Sequence, residues 1–428
     1  MTLDRRVAPP ARPIRHIDFL EAETTQLSNG IPVHMIKSGK QPVVGLELVF
    51  RHGGIRHEQK NGVAFFTNKM LAEGTKQKDS VAISNEIDKY GAFLQLSPGL
   101  DYSSVDIYML VRHIRPLLAI LRELITESIF PEDELQKLKT IQLQHLQVHN
   151  KKSNALASKK FKAALFGAHH PYGRSLEEEE IPALASDELQ TFFQHQLKNH
   201  LEIIVSGDVN TEVLQAIEQY FGDLPLVESS PSEDNLPDAV MTQEKRIIVE
   251  RPENLQSSIR MGGPMLTKDH PDYHKMKILN TIFGGYFGSR LMRNIREDKG
   301  FTYGINSGLI TLRDAGYFVI GTEVKKEFTA QVLEEIYREM ARLRDEPLGD
   351  MELNTVKNYM AGRLMASVDT PFALAEKFKN IHLYGLTYNF YKSYLNTINT
   401  IDASALQETA RQYLTEENMV EVIVGAYQ

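Results

Sequence analysis

The feature that most constrains this chain is that it is written twice. The run 187–197 has helical apolar spacing and leads into the β-branched stretch Leu201–Gly207; the run 403–414 does the same and leads into Val420–Gly425. A second pair is formed by the proline-started helical patterns Pro131–Lys139 and Pro347–Lys357. A third is formed by the strand-like endings Val49–Gly54 and Ile259–Gly263. All three correspondences are offset by roughly 210–218 positions, a period far too long for a solenoid, so the pattern predicts a duplicated domain.

Length agrees with that reading. A single hydrophobic core stops growing at roughly 250–300 residues, and this chain has 428. Between the copies, Val227–Asp238 is rich in Ser, Pro and acid and offers no apolar face to bury. The expected division is therefore an N-terminal domain over 1–226, a linker over 227–245 and a C-terminal domain over 246–428. Within each half, strand patterns (Ile31–Lys37, Val43–Arg51) precede long helical ones (116–128, 131–152). That order predicts an α+β fold of two homologous domains, each a mainly antiparallel sheet with helices packed on one face.

Charge and composition exclude several roles. Forty-eight basic against fifty-six acidic residues give a net charge of −8, and no Lys/Arg block tracks phosphates, which argues against nucleic acid as a partner. With no cysteine, neither a disulfide nor a cysteine-based zinc site can form. The opening residues lack an apolar h-region and no run of eighteen apolar residues follows, so the expectation is a cytoplasmic chain without a membrane partner.

Two segments carry the chemistry. Asn61–Thr75 resembles, along its whole length, the zinc helix of the pitrilysin/insulinase (inverzincin) metallopeptidases. Gly62, Ala64, Met70, Leu71, Gly74 and Thr75 stand where that family has them. The two histidine positions of its H-x-x-E-H signature hold Phe65 and Lys69, and the glutamate position holds Asn68. Phenylalanine has no lone pair to give, an ammonium repels a dication, and a neutral amide accepts no proton from water. The family's third ligand, a glutamate, falls at Gln144 or His145, where no glutamate exists. His145 and His149 are spaced i, i+4, a geometry compatible with a metal, but without a nearby carboxylate they read as helix-surface histidines, and His169–Pro171 reads as a turn. No metal and no cofactor is expected in this chain.

The second segment is 283–304. Gly284, Gly285 and Gly288 make a pliable connection, Ser289 is a good N-cap, residues 290–299 are helical, Gly300 stops them, and Tyr303 begins the next extended stretch. Arg290, Arg293 and Arg296 recur every three residues and on spacing alone form a solvated basic stripe. The segment also resembles the second domain of the same family, whose S-R-L-x-x-x-I-R-E-x-x-G-x-x-Y pattern is matched by Ser289, Arg290, Leu291, Ile295, Arg296, Glu297, Gly300 and Tyr303. The resemblance, which runs from about Thr25 to Ala426, implies catalytic roles for Arg296 and Tyr303: the phenol donates to an oxyanion and the guanidinium grips the peptide backbone. It implies a half clam shell that pairs with a homologous zinc-bearing subunit into a heterodimeric peptidase acting on unstructured peptides, with zinc in the partner. An inert scaffold, like the respiratory-complex core proteins of the same superfamily, is the alternative.

Overall fold

The structure is a computed structural model and describes residues 13–39, 41–197, 200–225 and 236–427. Positions 227–235 of the expected linker lie outside the described residues. The chain forms two compact units. The N-terminal unit comprises Leu20–Lys245 with Thr370–Lys379; the C-terminal unit comprises Arg246–Asp369 and Asn380–Gln428 with a stretch ending at Phe19.

The N-terminal unit holds a sheet of β1 (Glu23–Gln26), β2 (Pro32–Lys37), β3 (Val43–Phe50), β4 (Phe93–Ser97), β5 (Ser103–Leu110) and β6 (Leu201–Gly207), in the order β1-β2-β6-β3-β5-β4. Its helices are α1 (Val63–Met70), α2 (Ser80–Lys89), α3 (Ile114–Glu127), α4 (Glu132–Lys151), α5 (Ser153–Phe166), α6 (Ser186–Phe192) and α7 (Thr211–Phe221). The C-terminal unit holds β7 (Arg246–Glu250), β8 (Gln256–Met265), β9 (Thr302–Thr311), β10 (Gly316–Lys325) and β11 (Val420–Gly425), in the order β7-β11-β8-β10-β9. The remaining helices are α8 (Tyr273–Asn280), α9 (Thr329–Asp345), α10 (Asp350–Ala366), α11 (Pro371–His382), α12 (Asn389–Thr400) and α13 (Ala403–Tyr413).

Apart from β1, the two strand orders are the same. Strands β2, β6, β3, β5 and β4 are answered by β7, β11, β8, β10 and β9. In each sheet the outer pair, β2 with β6 or β7 with β11, is parallel, and the other pairs among these strands are antiparallel. The weak sequence repeat is thus a strong topological one, and both sheets are mainly antiparallel as expected.

Alternation along the strands decides which face is buried against helices. Val44, Leu46, Leu48 and Phe50 of β3 and Val105, Ile107 and Met109 of β5 enter the same core as Leu117, Leu121 and Leu124 of α3. Those three leucines recur at i, i+4 and i+7, the spacing that gives a helix one apolar face. Side-chain caps fix several helix starts: Asp79 accepts from Ala82, Asn210 from Val213 and Asp402 from Ala405. The C-terminal unit has its own core, built from Met261, Phe318 and Ile320 of the sheet and Leu279, Ile295, Ile336 and Val356 of its helices.

On the other face of the N-terminal sheet lies the first part of α11. Phe372 approaches so closely that a Cβ at Gly45 would stand 3.1 Å from its ring and 3.0 Å from that of Tyr108. Lys379 donates to both oxygens of Glu47, at 2.8 and 3.1 Å, and to Glu376 at 2.7 Å. Glu47 stands directly opposite Asp106 across β3 and β5. Burial first, and the Asp106 charge second, push the Glu47 carboxyl up to about 7 despite the nearby ammonium. No described helix is long and apolar enough to cross a membrane.

Candidate functional site

The helix that resembles a zinc helix is α1, and its start is tightly specified. Gly62 sits at φ 95°, in the left-handed region that glycine tolerates. The Glu58 carboxylate accepts the amides of Gly62 at 3.1 Å and Ala64 at 2.7 Å, and it is paired with Arg174 at 2.7 Å. A carboxylate at a helix N-terminus satisfies donors that otherwise have no partner.

Each of the three substituted positions on α1 has been given other work. Phe65 is partly buried against the core and meets Phe66 edge-on at 5.4 Å. Asn68 is fully buried; its amide donates to the Ser104 carbonyl at 3.2 Å, while its Oδ1 has no partner among the described residues. Lys69 donates to the Leu96 carbonyl of β4 at 2.7 Å, and burial holds its ammonium below the usual lysine range. Side chains that pack, bridge backbone or carry positive charge do not fit zinc. Gln144, His145 and His149 are exposed on α4, and among the described residues no group of three metal-ligating side chains forms at α1 or around these histidines. His170, in the expected turn, is buried; its Nδ1 accepts from the Tyr172 amide at 3.0 Å.

The second segment departs from its sequence expectation in winding. Residues 290–298 are helical, but Met292–Asp298 form π-turns, with Lys299 N–H donating to Asn294 O and Phe301 N–H to Ile295 O. Such wide turns are rare and recur at functional sites. Gly300, at φ 65°, ends the helix as expected. Ser289 does not cap it: the hydroxyl is buried without a partner among the described residues. Nor do the three arginines share one fate. Arg290 is turned inward into a bidentate pair with Glu352 of α10, at 3.0 and 2.9 Å. Arg293 is exposed, and Arg296 is half-exposed with its guanidinium 4.7 Å over the ring of Phe287. Wider winding rotates successive residues differently from an α-helix, which is why the three-residue spacing misassigned their common face.

Tyr303 is the most exposed large hydrophobic side chain among the described residues, at 92%. Its placement comes from a β-bulge. Thr322 of β10 faces Ile305 and Val324 faces Thr302, so Tyr303 and Gly304 together oppose Glu323. Two buried hydroxyls brace this bulge: Thr302 donates to Glu323 O at 2.7 Å, and Thr322 Oγ1 lies 3.0 Å from both Thr302 Oγ1 and Gly304 O. The phenol therefore stands on an edge strand with its hydroxyl making no hydrogen bond among the described residues. Behind it, Gly284 lets the helical turn approach β9 to a distance that no side chain fits, since a Cβ there would lie 2.5 Å from Ser307 Oγ. The bulge, the π-turns and the Phe287 partner of Arg296 were all missed by sequence reasoning. The glycines at 284, 285 and 288 were the only signal of unusual backbone.

Comparison with known proteins gives a consistent result. Residues 33–180 match the family described as "Insulinase (Peptidase family M16)", and residues 183–360 match "Peptidase M16 inactive domain". The chain is 24% identical to "Uncharacterized zinc protease YmxG" of Bacillus subtilis, over 86% of this chain and 90% of that one. It is 22% identical to "Non-peptidase homolog YmxG" of Helicobacter pylori, over 92% of each. Among solved structures it is similar to a peptidase M16 inactive domain from Pseudomonas fluorescens, with TM-score 0.84 and 23% identity, covering 96% of this chain and 98% of that one. It is also similar to a chain of complex III from Candida albicans, with TM-score 0.75 and 16% identity over 94% and 95%.

Proposed function

Since the chain belongs to the insulinase family of peptidases, family M16, and has no zinc ligand on α1, we propose that it is the zinc-less subunit of a heterodimeric metallopeptidase. The partner, a homologous zinc-bearing subunit, would hold the metal. This chain would contribute Arg296 and Tyr303, and the substrate would be an unstructured peptide. Tyr303 carries the reading. A tyrosine held at a braced bulge, 92% exposed and with its hydroxyl unused, has no evident structural duty, whereas a phenol donor is what a developing oxyanion needs. Arg296, kept half-exposed against Phe287, is suited to donate to a peptide carbonyl or carboxylate.

The test is to mix the purified chain with a zinc-bearing homologue and follow a quenched peptide. Cleavage is expected only in the mixture. Tyr303→Phe is expected to lower kcat about 100- to 1000-fold, the range typical for loss of one oxyanion donor. Chelator-sensitive cleavage by the chain alone would overturn the proposal, as would activity in the mixture that ignores both Tyr303→Phe and Arg296→Ala. A second reading, an inert scaffold, is favoured by the Helicobacter relative's description as a non-peptidase and by the similarity to complex III. It predicts no hydrolysis in any mixture.

A further inference from the structure

Three arginines of the C-terminal unit that lack carboxylate partners among the described residues each stand beside an aromatic side chain. Arg296 lies over Phe287 at 4.7 Å, and Phe287 is 64% exposed. The adjacent Tyr286 stacks on Tyr359 of α10, with ring centroids 4.9 Å apart. Arg363, one turn along α10, donates to the Tyr359 hydroxyl at 3.2 Å and lies 5.8 Å from its ring. Arg293 is close enough to Tyr286 to act on its ionisation: burial raises the phenol and the Arg293 charge opposes that rise. Gly288 makes the arrangement possible, since a Cβ there would come within 2.9 Å of the Tyr286 ring.

Arg293, Arg296 and Arg363 have no carboxylate at ion-pair distance among the described residues, whereas Arg290 is paired with Glu352 through Nε and Nη2. Glu297 and Asp298 on the same helix are exposed and pair with none of the three. In a chain of net charge −8, three uncompensated guanidiniums interleaved with rings are unusual. Stacked guanidiniums are weakly hydrated, keep their donors in a fixed fork and donate to carboxylates in bidentate fashion. We infer that this patch binds acidic extended peptides, pairing Asp, Glu or C-terminal carboxylates with Arg293, Arg296 and Arg363 while the rings cover apolar parts of the peptide. The inference deepens the proposed function by naming its substrate class, and it rests on that reading for its biological meaning.

The experiment uses the isolated full chain and needs no hydrolysis. A fluorescein-labelled unstructured peptide containing several Glu residues is titrated by anisotropy, beside the same peptide with Gln at those positions and a single-stranded oligonucleotide of equal charge. Three partly exposed ion pairs predict about tenfold tighter binding of the acidic peptide than of its amide counterpart. The preference should shrink between 50 and 300 mM salt and vanish in Arg293→Gln/Arg363→Gln, whose circular dichroism melt should match the parent. Equal affinity for the two peptides, or a preference retained by the double variant, would overturn the inference; so would tighter binding of the oligonucleotide. Acidic preference without cleavage in the subunit mixture would count against the peptidase reading alone. Cleavage without acidic preference would count against this one alone.

Discussion

Removing the ammonium of Lys379 should make the attachment of α11 to the N-terminal sheet strongly dependent on pH. Around that ammonium stand Glu47 and Asp106, opposite each other across β3 and β5, and Glu376 on the same helix, with Tyr102 and Tyr108 close by. The Glu47 carboxyl is pushed from its ordinary 4.5 up to about 7. Because the folded state holds this proton more tightly than the unfolded state, stability is greatest at low pH. It falls as pH rises from about 4.5 to about 7 and is flat above. The whole effect is at most about 3 kcal/mol in the parent protein. Burial acts against the Lys379 charge, but Glu47 and Glu376 outweigh it and hold the ammonium above the usual lysine range, so it stays charged throughout this window. In Lys379→Met the buried carboxylates lose that cation. The expected loss is about 3–5 kcal/mol at pH 8, shrinking to about 1–2 kcal/mol at pH 5.5, where protons replace the ammonium. Two compact units make global unfolding a poor measure. The assay is therefore native-state hydrogen exchange followed by mass spectrometry on peptides covering 371–382, corrected for the intrinsic pH dependence of exchange. Glu47→Gln, which keeps an acceptor and removes the titrating group, should flatten the pH slope. An unchanged slope in Glu47→Gln, or a Lys379→Met penalty equal at both pH values, would refute the reasoning.

Other substitutions separate positions that look alike in sequence. Arg290→Ala should cost about 2–3 kcal/mol because it strands Glu352, while Arg296→Ala should stay within about 1 kcal/mol; native-state hydrogen exchange on peptides of the C-terminal unit measures both. Thr322→Val removes the hydroxyl bracing the bulge beneath Tyr303 and should destabilise by about 1–2 kcal/mol by the same measurement. Glu58→Ala leaves two amides at the start of α1 unsatisfied and Arg174, which still donates to Ile55 O, without its carboxylate partner. About 3 kcal/mol should be lost, and exchange protection at residues 62–66 should fall.

The sequence by itself determined the duplication, the α+β class, the unfitness of α1 for zinc and the Arg296/Tyr303 pattern. Each of these is local: apolar periodicity fixes an element and its buried face, and the ligand chemistry of Phe65, Asn68 and Lys69 needs no neighbours to be read. What the tertiary structure decided is where those groups point and what they touch. Three arginines at equal spacing became one buried strut, one stacked guanidinium and one exposed one, because π-turns reset the helical phase. Tyr303 stands outward because an extra residue is accommodated opposite Glu323, a consequence of strand pairing that no single strand encodes. Glu47 and Lys379 are 332 positions apart, and only packing of α11 on the sheet makes them a buried pair. Periodicity is written along the chain, whereas winding defects, register and long-range ion pairs arise only when distant segments share one space.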